Sequence, residues 1–406
     1  MRQAVDAGLR RSRAALAVGF LLQGTAFALL VTCIPEIQRR YGLSDAMLPV
    51  FLAAVPVLAG VGSIGSEQLV KRSSARGVLR AVQPAVCLTL AAVGLGERLW
   101  QLAVALGLFG LLVGALDASM NMLGVGLQRR YGRSIMLGFH AAFSLGGILG
   151  GSIAWLGAHD DSGLPTLFGA TAAVLTPLAL LAGTRFPGRA ELGDAVREAA
   201  EAAARSIPWR PLLPLCTAMA AAYIADASVS NYSVKYLTDG LHSAGDVAKF
   251  SYLGYMVAML LGRALGDRAV QRWGAVAVVR TGAALAALGF ALAAAAPGPA
   301  VGIAGFTLLG FGICAIIPQV FAAGGRLFPE DSDAAVARLN LFNYVGFLLG
   351  SPLVGALADA ASYRIALLAP LVLILLIAPL AGHFAPGRPG DREHGERRVQ
   401  PTAPGH

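Results

Sequence analysis

Three ionisable side chains stand inside long apolar stretches, where a charge is costly and points to a function by default. Asp117 and Asp226 each lie deep in such a stretch, and His140 lies early in another. A buried Asp and a His, which titrates near neutral pH, are suitable groups for taking up and releasing a proton. The sequence therefore predicts proton or substrate binding at these residues. The alternative for Asp117 and His140 is a structural pair that braces the arginine-rich loop between them.

Other polar residues stand at helical spacing from these groups. Asn121 follows Asp117 by one turn, and Tyr223 precedes Asp226 by three residues, so each pair shares one helical face. Asp226 must then face the interior, because a carboxylate at mid-membrane cannot face lipid. Polar side chains inside membrane helices more often join neighbouring helices than line a cavity. Further candidates for lining a cavity are Gln23, Tyr252, Tyr255, Asn340, Asn343 and Tyr344.

One short motif occurs twice, with an offset of 200 residues. Residues 62–72 read GSIGSEQLVKR, and residues 262–272 read GRALGDRAVQR. Each copy ends an apolar stretch and enters a loop that carries basic residues. The match at equivalent positions indicates a duplicated architecture, which in transporters places the substrate site between the two halves.

Composition and length define the class. Of 406 residues, 56% are hydrophobic and only 14% are charged, whereas soluble proteins average about 25% charged residues. A membrane-spanning helix needs about 20 mainly apolar residues. We predict an all-α integral membrane protein with twelve transmembrane helices in two six-helix pseudo-repeats, near 14–35, 47–69, 78–96, 99–125, 135–157, 164–184, 210–235, 249–268, 275–296, 300–323, 336–358 and 363–385.

The predicted organisation follows from these stretches. It comprises an N-terminal tail (1–13), a six-helix half (14–184), a central loop with a short amphipathic helix (185–209), a second half (210–385) and a disordered tail (386–406). Most of the 32 Lys and Arg residues fall on one side when both termini are placed in the cytoplasm. The arginine-rich composition suggests a bacterial source, hence the inner membrane. The net charge of +9 comes from basic residues that set the orientation of the helices in the membrane, so no nucleic-acid partner is expected.

The second copy of the motif, followed by Trp273-Gly274, resembles the loop signature of the major facilitator superfamily. Residues 116–121 (LDASMN), 138–147 (GFHAAFSLGG) and 231–233 (NYS) resemble the fucose-permease-like branch of that superfamily. The resemblance covers essentially the whole chain and implies alternating access, in which two six-helix halves rock about a central site. In that branch an Asp often stands where this chain has Asn231, which puts the role of that Asp in doubt here.

The same resemblance implies a gate at the cytoplasmic ends of the helices. Charge pairs between the two halves would hold the cytoplasmic side closed in the outward-facing state. Asp267, Arg268 and Arg272 are the residues of the second copy that are expected to take part in them. Gly262 and Gly266, one turn apart, would permit close helix approach. Glu67 occupies the Asp position in the first copy and is expected to do the same work more weakly. The alternative is ordinary positive charge on the cytoplasmic side.

Several function classes lack their motifs. The sequence has no P-loop, no hydrolase triad and no metal-spaced His or Cys set, and its four cysteines fall in apolar stretches. We therefore predict no enzyme, no cofactor and no metal. The expected function is secondary transport of a small organic solute by a monomer in the lipid bilayer. Proton-coupled export of a metabolite or drug-like compound is placed ahead of proton-coupled uptake of a sugar-like solute. A non-transporting sensor or scaffold and a membrane-embedded enzyme are the alternatives from other classes.

Overall fold

The computed structural model describes residues 7–43, 47–159, 163–188, 207–243 and 245–385. Within these ranges the chain is helical, and no strand is formed. The amphipathic helix predicted in the central loop and the C-terminal tail fall outside the described residues. The division of the chain into two halves at residues 185–209 therefore stays a prediction.

The first seven helices form what we call the N-terminal group. A short helix, α2, follows the first long helix, and the other six are long enough to cross a bilayer. Their bounds are α1 Ala7–Thr32, α2 Ile34–Tyr41, α3 Leu48–Arg72, α4 Ala75–Leu95, α5 Leu99–Tyr131, α6 Met136–His159 and α7 Leu164–Thr184.

The remaining helices form the C-terminal group. The last crossing is divided into short helical segments that end in a 3₁₀ turn, and a π turn at Tyr236–Gly240 extends α8. The bounds are α8 Trp209–Lys235, α9 Gly245–Ala294, α10 Pro299–Ile313, α11 Ile316–Leu327, α12 Ser332–Ala360, α13 Tyr363–Ala366, α14 Leu368–Leu375, α15 Ile377–Leu380 and the 3₁₀ turn Ala381–Phe384.

These helices give the predicted twelve crossings. In the described part of the chain, ten helical stretches are long and apolar enough to span a membrane. One of them lies in α9, which breaks at Gly274, where φ is +80° and ψ is 159°; only glycine adopts this backbone conformation readily. The break divides α9 into two crossings, and α3, with 25 residues, supplies another. The all-α membrane fold predicted from the sequence is confirmed.

Glycines bring equivalent helix pairs into close contact in the two groups. In the N-terminal group, α1 packs on α6, and Gly146 lies against the Leu21 carbonyl. In the C-terminal group, α8 packs on α12, and a Cβ on Gly346 would lie 2.6 Å from the Ala220 carbonyl oxygen. Small residues permit this approach between membrane helices. The two glycines are offset by 200 residues, as the duplicated motif is.

The outer surface is apolar, as a lipid-facing surface must be. Large hydrophobic side chains are exposed along the helices, among them Leu88, Leu108, Val174, Leu181 and Leu265. Polar residues such as Gln23, Asn121 and Asn340 are buried between helices instead. A soluble protein rarely shows so much apolar surface.

Both described chain ends lie at one end of the bundle. The Tyr131 hydroxyl donates to the Leu9 carbonyl at 3.1 Å, and Arg326 donates to the Phe384 carbonyl at 3.0 Å. We call this the terminal end, where α5 ends and α6 begins.

Candidate functional site

Asp117 joins the two helix groups. Its carboxylate lies on α5 and accepts hydrogen bonds from the Gln23 amide of α1 and from the Tyr344 hydroxyl of α12. The Tyr344 bond is 2.7 Å long and crosses from the C-terminal group to the N-terminal group. Asp117 and Tyr344 are only partly buried, so they border an accessible space within the bundle.

Asp226 is the second carboxylate of the site. It lies on α8, is partly buried, and accepts a hydrogen bond from the hydroxyl of Tyr255 on α9. Tyr223 lies one turn before Asp226, close enough for the charges of both Asp117 and Asp226 to act on its phenol. The two carboxylates therefore flank one tyrosine. We call Gln23, Asp117, Tyr223, Asp226, Tyr255 and Tyr344 the carboxylate cluster.

The carboxylate cluster is suited to holding protons. In the described part of the chain the two ion pairs are Arg39–Glu36 and Lys71–Glu67, so neither carboxylate has a cation within 4.0 Å. A carboxylate without an ion pair inside a membrane protein is costly in its charged form. Each can instead take up a proton, with phenol hydroxyl groups as neighbouring donors.

His140 and Asn121 do not join this cluster directly. The His140 ring lies between Phe20, with centroids 5.4 Å apart, and Phe321, at 6.3 Å. Its Nε2 atom is buried without a hydrogen-bond partner among the described residues. The Asn121 amide donates to the backbone carbonyl of Asp117 at 2.9 Å. None of the described hydrogen bonds links Asp117 to His140, so the structure does not form the bracing pair considered above.

Asn343 and Asn231 occupy two different environments. Asn343 is buried and donates to Asn340 at 3.4 Å, and Asn340 donates to Ser63 of α3 at 3.3 Å. These residues connect the helix groups beside the cluster rather than within it. Asn231 is exposed and donates to the Ala227 carbonyl of its own helix at 2.9 Å. The prediction that Asn231 contacts the site is not matched by its position, because its amide is used within α8.

Arg263 was missed by the sequence prediction. Its side chain is 6% exposed, and it lies on α9 between the two groups. It donates to the Ser144 hydroxyl of α6 at 2.7 Å and to the Cys314 carbonyl at 3.4 Å. The signal was present, since Arg263 is a charge within an apolar stretch. The sequence prediction included Arg263 only as a residue between the two glycines of the motif.

Asp267 closes the terminal end, but through a different partner from the one predicted. Its carboxylate accepts from the Ser134 hydroxyl at 2.6 Å and from the N–H groups of Gly138 at 3.0 Å and Leu137 at 3.3 Å. These donors form the beginning of α6, where the helix dipole favours an anion. A Cβ on Gly266 would meet the end of the Leu137 side chain, which would have to shift. The cross-group contact is therefore a capped helix end instead of an ion pair.

The other predicted gating residues do not cross between the groups. Arg268 and Arg272 are exposed, and Arg272 stacks on Trp273 at 5.7 Å. Gly262 lies against Cys314 within the C-terminal group. Glu67 forms an ion pair with Lys71 of its own helix at 2.8 Å. For Arg268 and Arg272 the reason is geometric, because they lie off the helix face that carries Asp267 towards α6.

A second closure at the terminal end is made by Arg129. It donates to the Pro329 carbonyl at 2.6 Å and to the Ser332 hydroxyl at 2.9 Å. Arg129 thus reaches from the end of α5 to the start of α12, as Asp267 reaches from α9 to the start of α6. The sequence showed Arg129 only as one of several arginines in a loop.

Comparison with known proteins shows what this chain is similar to. Residues 215–404 match the family model described as Major Facilitator Superfamily. An uncharacterized MFS-type transporter of Yersinia pestis is 29% identical over 94% of this chain and 97% of its own length. An uncharacterized transporter of Sinorhizobium fredii is 27% identical over 90% of this chain and 96% of its own length.

Solved structures share the fold along nearly the whole chain. The crystal structure of FucP, a major facilitator transporter in the outward conformation, has a TM-score of 0.75 at 19% identity, covering 92% of this chain and 98% of FucP. The proton:xylose symporter XylE has a TM-score of 0.73 at 14% identity, covering 93% and 96%. The fold is that of FucP, and the relatives are transporters rather than enzymes. The predicted resemblance is confirmed: the second half of this multi-pass membrane chain matches the Major Facilitator Superfamily model, and the whole chain shares the fold of FucP.

Proposed function

We propose that this secondary transporter moves a small organic solute in exchange with, or together with, protons, and that Asp117 and Asp226 carry the protons. The observation that supports this best is the carboxylate cluster. Two partly buried carboxylates flank the same tyrosine without an ion pair in the described residues, and one of them bonds across the helix groups. Such groups bind a proton or a solute more readily than they stabilise a fold.

Protonation of Asp117 supplies a means of coupling. In the charged state its carboxylate accepts hydrogen bonds from Gln23 and Tyr344, and a bond to a charged acceptor contributes about 1.5–3 kcal/mol. A proton on this carboxylate weakens both bonds, and with them a contact between the groups. Proton binding and relative movement of the groups are then linked, which alternating access requires.

The terminal end is proposed to face the cytoplasm of a bacterial cell, because basic residues concentrate on that side. In that orientation, closure of this end by Asp267 and Arg129 supports an outward-facing state. The likeness to FucP in its outward conformation supports this assignment. The six-helix halves 14–184 and 210–385 would be the bodies that rock, in a protein that works as a monomer.

The direction of transport is a separate part of the proposal. FucP is named as a fucose:proton symporter and XylE as a proton:xylose symporter, which favours uptake. Proton-coupled export remains the sequence-based prediction. Both directions use the same proton site. A sensor or scaffold would instead tolerate the combined loss of Asp117, Asp226 and His140.

The test uses proteoliposomes with a pH-sensitive dye inside and a panel of neutral sugars, sugar acids and amino acids. We expect wild-type accumulation to require a pH gradient. An outside-acid gradient driving accumulation identifies symport, and an inside-acid gradient identifies exchange. Asp117→Asn and Asp226→Asn should retain solute counterflow but lose acceleration by the gradient, whereas Asp239→Asn, at an exposed acid beyond the end of α8, should behave as wild type. Transport independent of the gradient in the wild type, or full coupling in both variants, would contradict the proposal.

A further inference from the structure

Arg263 is a buried charge whose hydrogen-bond partners do not use all of its N–H groups. Its Nη1 atom donates to Ser144 and its Nε atom donates to the Cys314 carbonyl. A guanidinium has five N–H groups, so these bonds occupy only some of them. No carboxylate of the described residues lies within 4.0 Å of it. A guanidinium this deep in a membrane protein normally faces an anion or a functional path.

The imidazole of His140, which has an unused ring nitrogen, lies near Arg263. Ser144, which accepts from Arg263, donates in turn to the His140 carbonyl at 3.1 Å, one turn earlier on α6. The His140 side chain is 8% exposed, and its Nε2 atom has no hydrogen-bond partner in the described part of the chain. In the tautomer with a proton on Nε2, this nitrogen is a donor. A cation and an unused imidazole nitrogen therefore lie on facing helices.

Aromatic rings surround His140 and add apolar surface beside the charge of Arg263. Phe20 comes from α1 and Phe321 from α11, with the imidazole between them. Binding sites for small molecules typically combine such apolar walls with a few placed polar groups. Together, Arg263, His140, Phe20 and Phe321 form what we call the arginine site.

Packing between the groups does not by itself require a charge here. With the 200-residue offset, the position equivalent to Arg263 is Ser63. Ser63 makes the corresponding cross-group contact with uncharged partners, donating to the Ala337 carbonyl at 3.2 Å and accepting from Asn340. The cross-group contact at the first motif copy thus uses a neutral hydroxyl, whereas the contact at the second copy uses a guanidinium. The charge is an added feature of the second side.

Asp226 is an acidic residue on which the charge of Arg263 acts. Its carboxylate is hydrogen-bonded to Tyr255, and it lies beyond ion-pair distance from Arg263. Arg263 is close enough to act on Asp226 through space, so the two charges lie on the same inner surface without closing on each other. The arginine site and the carboxylate cluster therefore keep their charges without an ion pair between them in the described residues.

We propose that the transported solute is an organic anion, a carboxylate-bearing small molecule, whose anionic group is held by Arg263 with His140 as a second donor. This inference rests on the proposed function, because it assigns the substrate class to the same transporter. Arg263 suits the task because its planar donor fork pairs with both oxygens of a carboxylate. The carboxylate cluster then binds the proton, and the arginine site binds the anion.

The experiment compares matched solutes that differ in charge alone. Wild-type proteoliposomes are given glucuronate and glucose, galacturonate and galactose, and lactate and lactamide, with initial rates measured across a concentration series. We expect the carboxylates to be transported with a KM at least tenfold below that of their neutral partners. Arg263→Gln should remove this preference, and Arg263→Lys should retain part of it, since an ammonium is a single point charge.

Two further variants separate an anion anchor from a mechanical contact. Arg280→Gln removes an exposed arginine from α9 and should leave every KM unchanged. Ser144→Ala removes the cross-group bond but keeps the charge, so carboxylate preference should survive. If Arg263→Gln does not fold, as judged by gel filtration, Arg263→Lys decides, because it should raise the KM of carboxylates about threefold or more while that of neutral solutes stays constant.

The outcomes distinguish this proposal from the proposed function. Neutral solutes moving as well as their carboxylate partners, or Arg263→Gln and Arg263→Lys changing both classes by the same factor, would overturn the anion assignment. Proton coupling through Asp117 and Asp226 would still stand. Carboxylate preference that depends on Arg263, in transport unaffected by a pH gradient, would instead support the anion site and refute the coupling.

Discussion

At the scale of single residues, the two carboxylates have similar donors with different origins. Asp117 accepts a phenol hydroxyl from Tyr344 in the opposite helix group, whereas Asp226 accepts one from Tyr255 in its own group. Protonation of Asp117 therefore weakens a contact that holds the groups together. Protonation of Asp226 changes bonds within one group. In the proposed mechanism, only the first event would link the proton directly to relative movement of the groups.

This difference predicts a specific phenotype for Tyr344→Phe. The variant removes a hydroxyl that donates to Asp117 across the groups, so protonation of Asp117 no longer breaks a cross-group bond. We expect the ratio of solute fluxes with and without a pH gradient to fall severalfold. Loss of a bond of about 1.5–3 kcal/mol should also lower the unfolding temperature by several degrees.

Tyr255→Phe is the matched control, since it removes the same atom from the other carboxylate. Its overall rate and unfolding temperature should fall, but the flux ratio should be kept. Equal loss of the ratio in both variants would show that the cross-group position of Tyr344 has no special part in coupling. The measurement is the initial rate in proteoliposomes, with and without an imposed gradient.

At the scale of helices, α1 and α6 are held at close distance by glycine. Gly146 lies against the Leu21 carbonyl and Gly150 against the Thr25 carbonyl. A methyl group on Gly147, in contrast, would have no atom of the described residues within 4 Å. The neighbouring glycines 146 and 147 therefore differ in what a methyl group would meet. Only one of them is required by packing.

We expect Gly146→Ala to destabilise the protein and Gly147→Ala to leave it nearly unchanged. Overpacking in a close contact costs about 1–3 kcal/mol, and the backbone of α1 cannot move aside as a side chain could. The readout is the unfolding temperature in detergent, which should fall by several degrees for the first variant alone. A comparable fall for Gly147→Ala would mean that helix propensity or lipid contact, not the α1–α6 distance, governs this segment.

Much of the fold could be predicted because it depends on local properties of the sequence. Length and apolar content define a membrane crossing regardless of its neighbours. Asp117 and Asp226 could be found the same way, as charges where charge is costly. Their partners could not, because a bond such as Asp117 to Tyr344 joins residues 227 positions apart. Nor could the partner of Asp267, since nothing in the sequence shows that the start of α6 lies beside it.

At the scale of the whole molecule, the contacts of Asp267 and Arg129 help to close the terminal end. Asp267 caps α6, and Arg129 holds the start of α12. Both join a residue of one helix group to the beginning of a helix in the other. Relative movement of the groups requires both to break, so in the proposed mechanism they would contribute to the balance between the outward-facing and inward-facing states. Glu67, bonded to Lys71 within α3, has no equivalent contact among the described residues.

We therefore expect Asp267→Asn to open the terminal end. An amide lacks the negative charge that favours the start of α6, so the closed state loses stability relative to the open one. The reporter is Val125→Cys, a buried position in contact with Gly325 of the opposite group, in a protein whose four buried native cysteines are replaced by Ala. Its alkylation by a membrane-impermeant maleimide should accelerate about fivefold or more, as a shift of about 1 kcal/mol would produce.

Two other carboxyl groups supply the comparison for this measurement. Asp359 is exposed near the opposite end of α12, and Glu67 holds the position equivalent to Asp267 but bonds within its own helix. Asp359→Asn and Glu67→Gln should leave the alkylation rate of Val125→Cys near its starting value. Adding Arg129→Gln to Asp267→Asn should raise the rate further, because the second closure is lost as well. If Glu67→Gln accelerates alkylation as much as Asp267→Asn, the closure is symmetric, and the capped helix end at α6 is not what distinguishes the two halves.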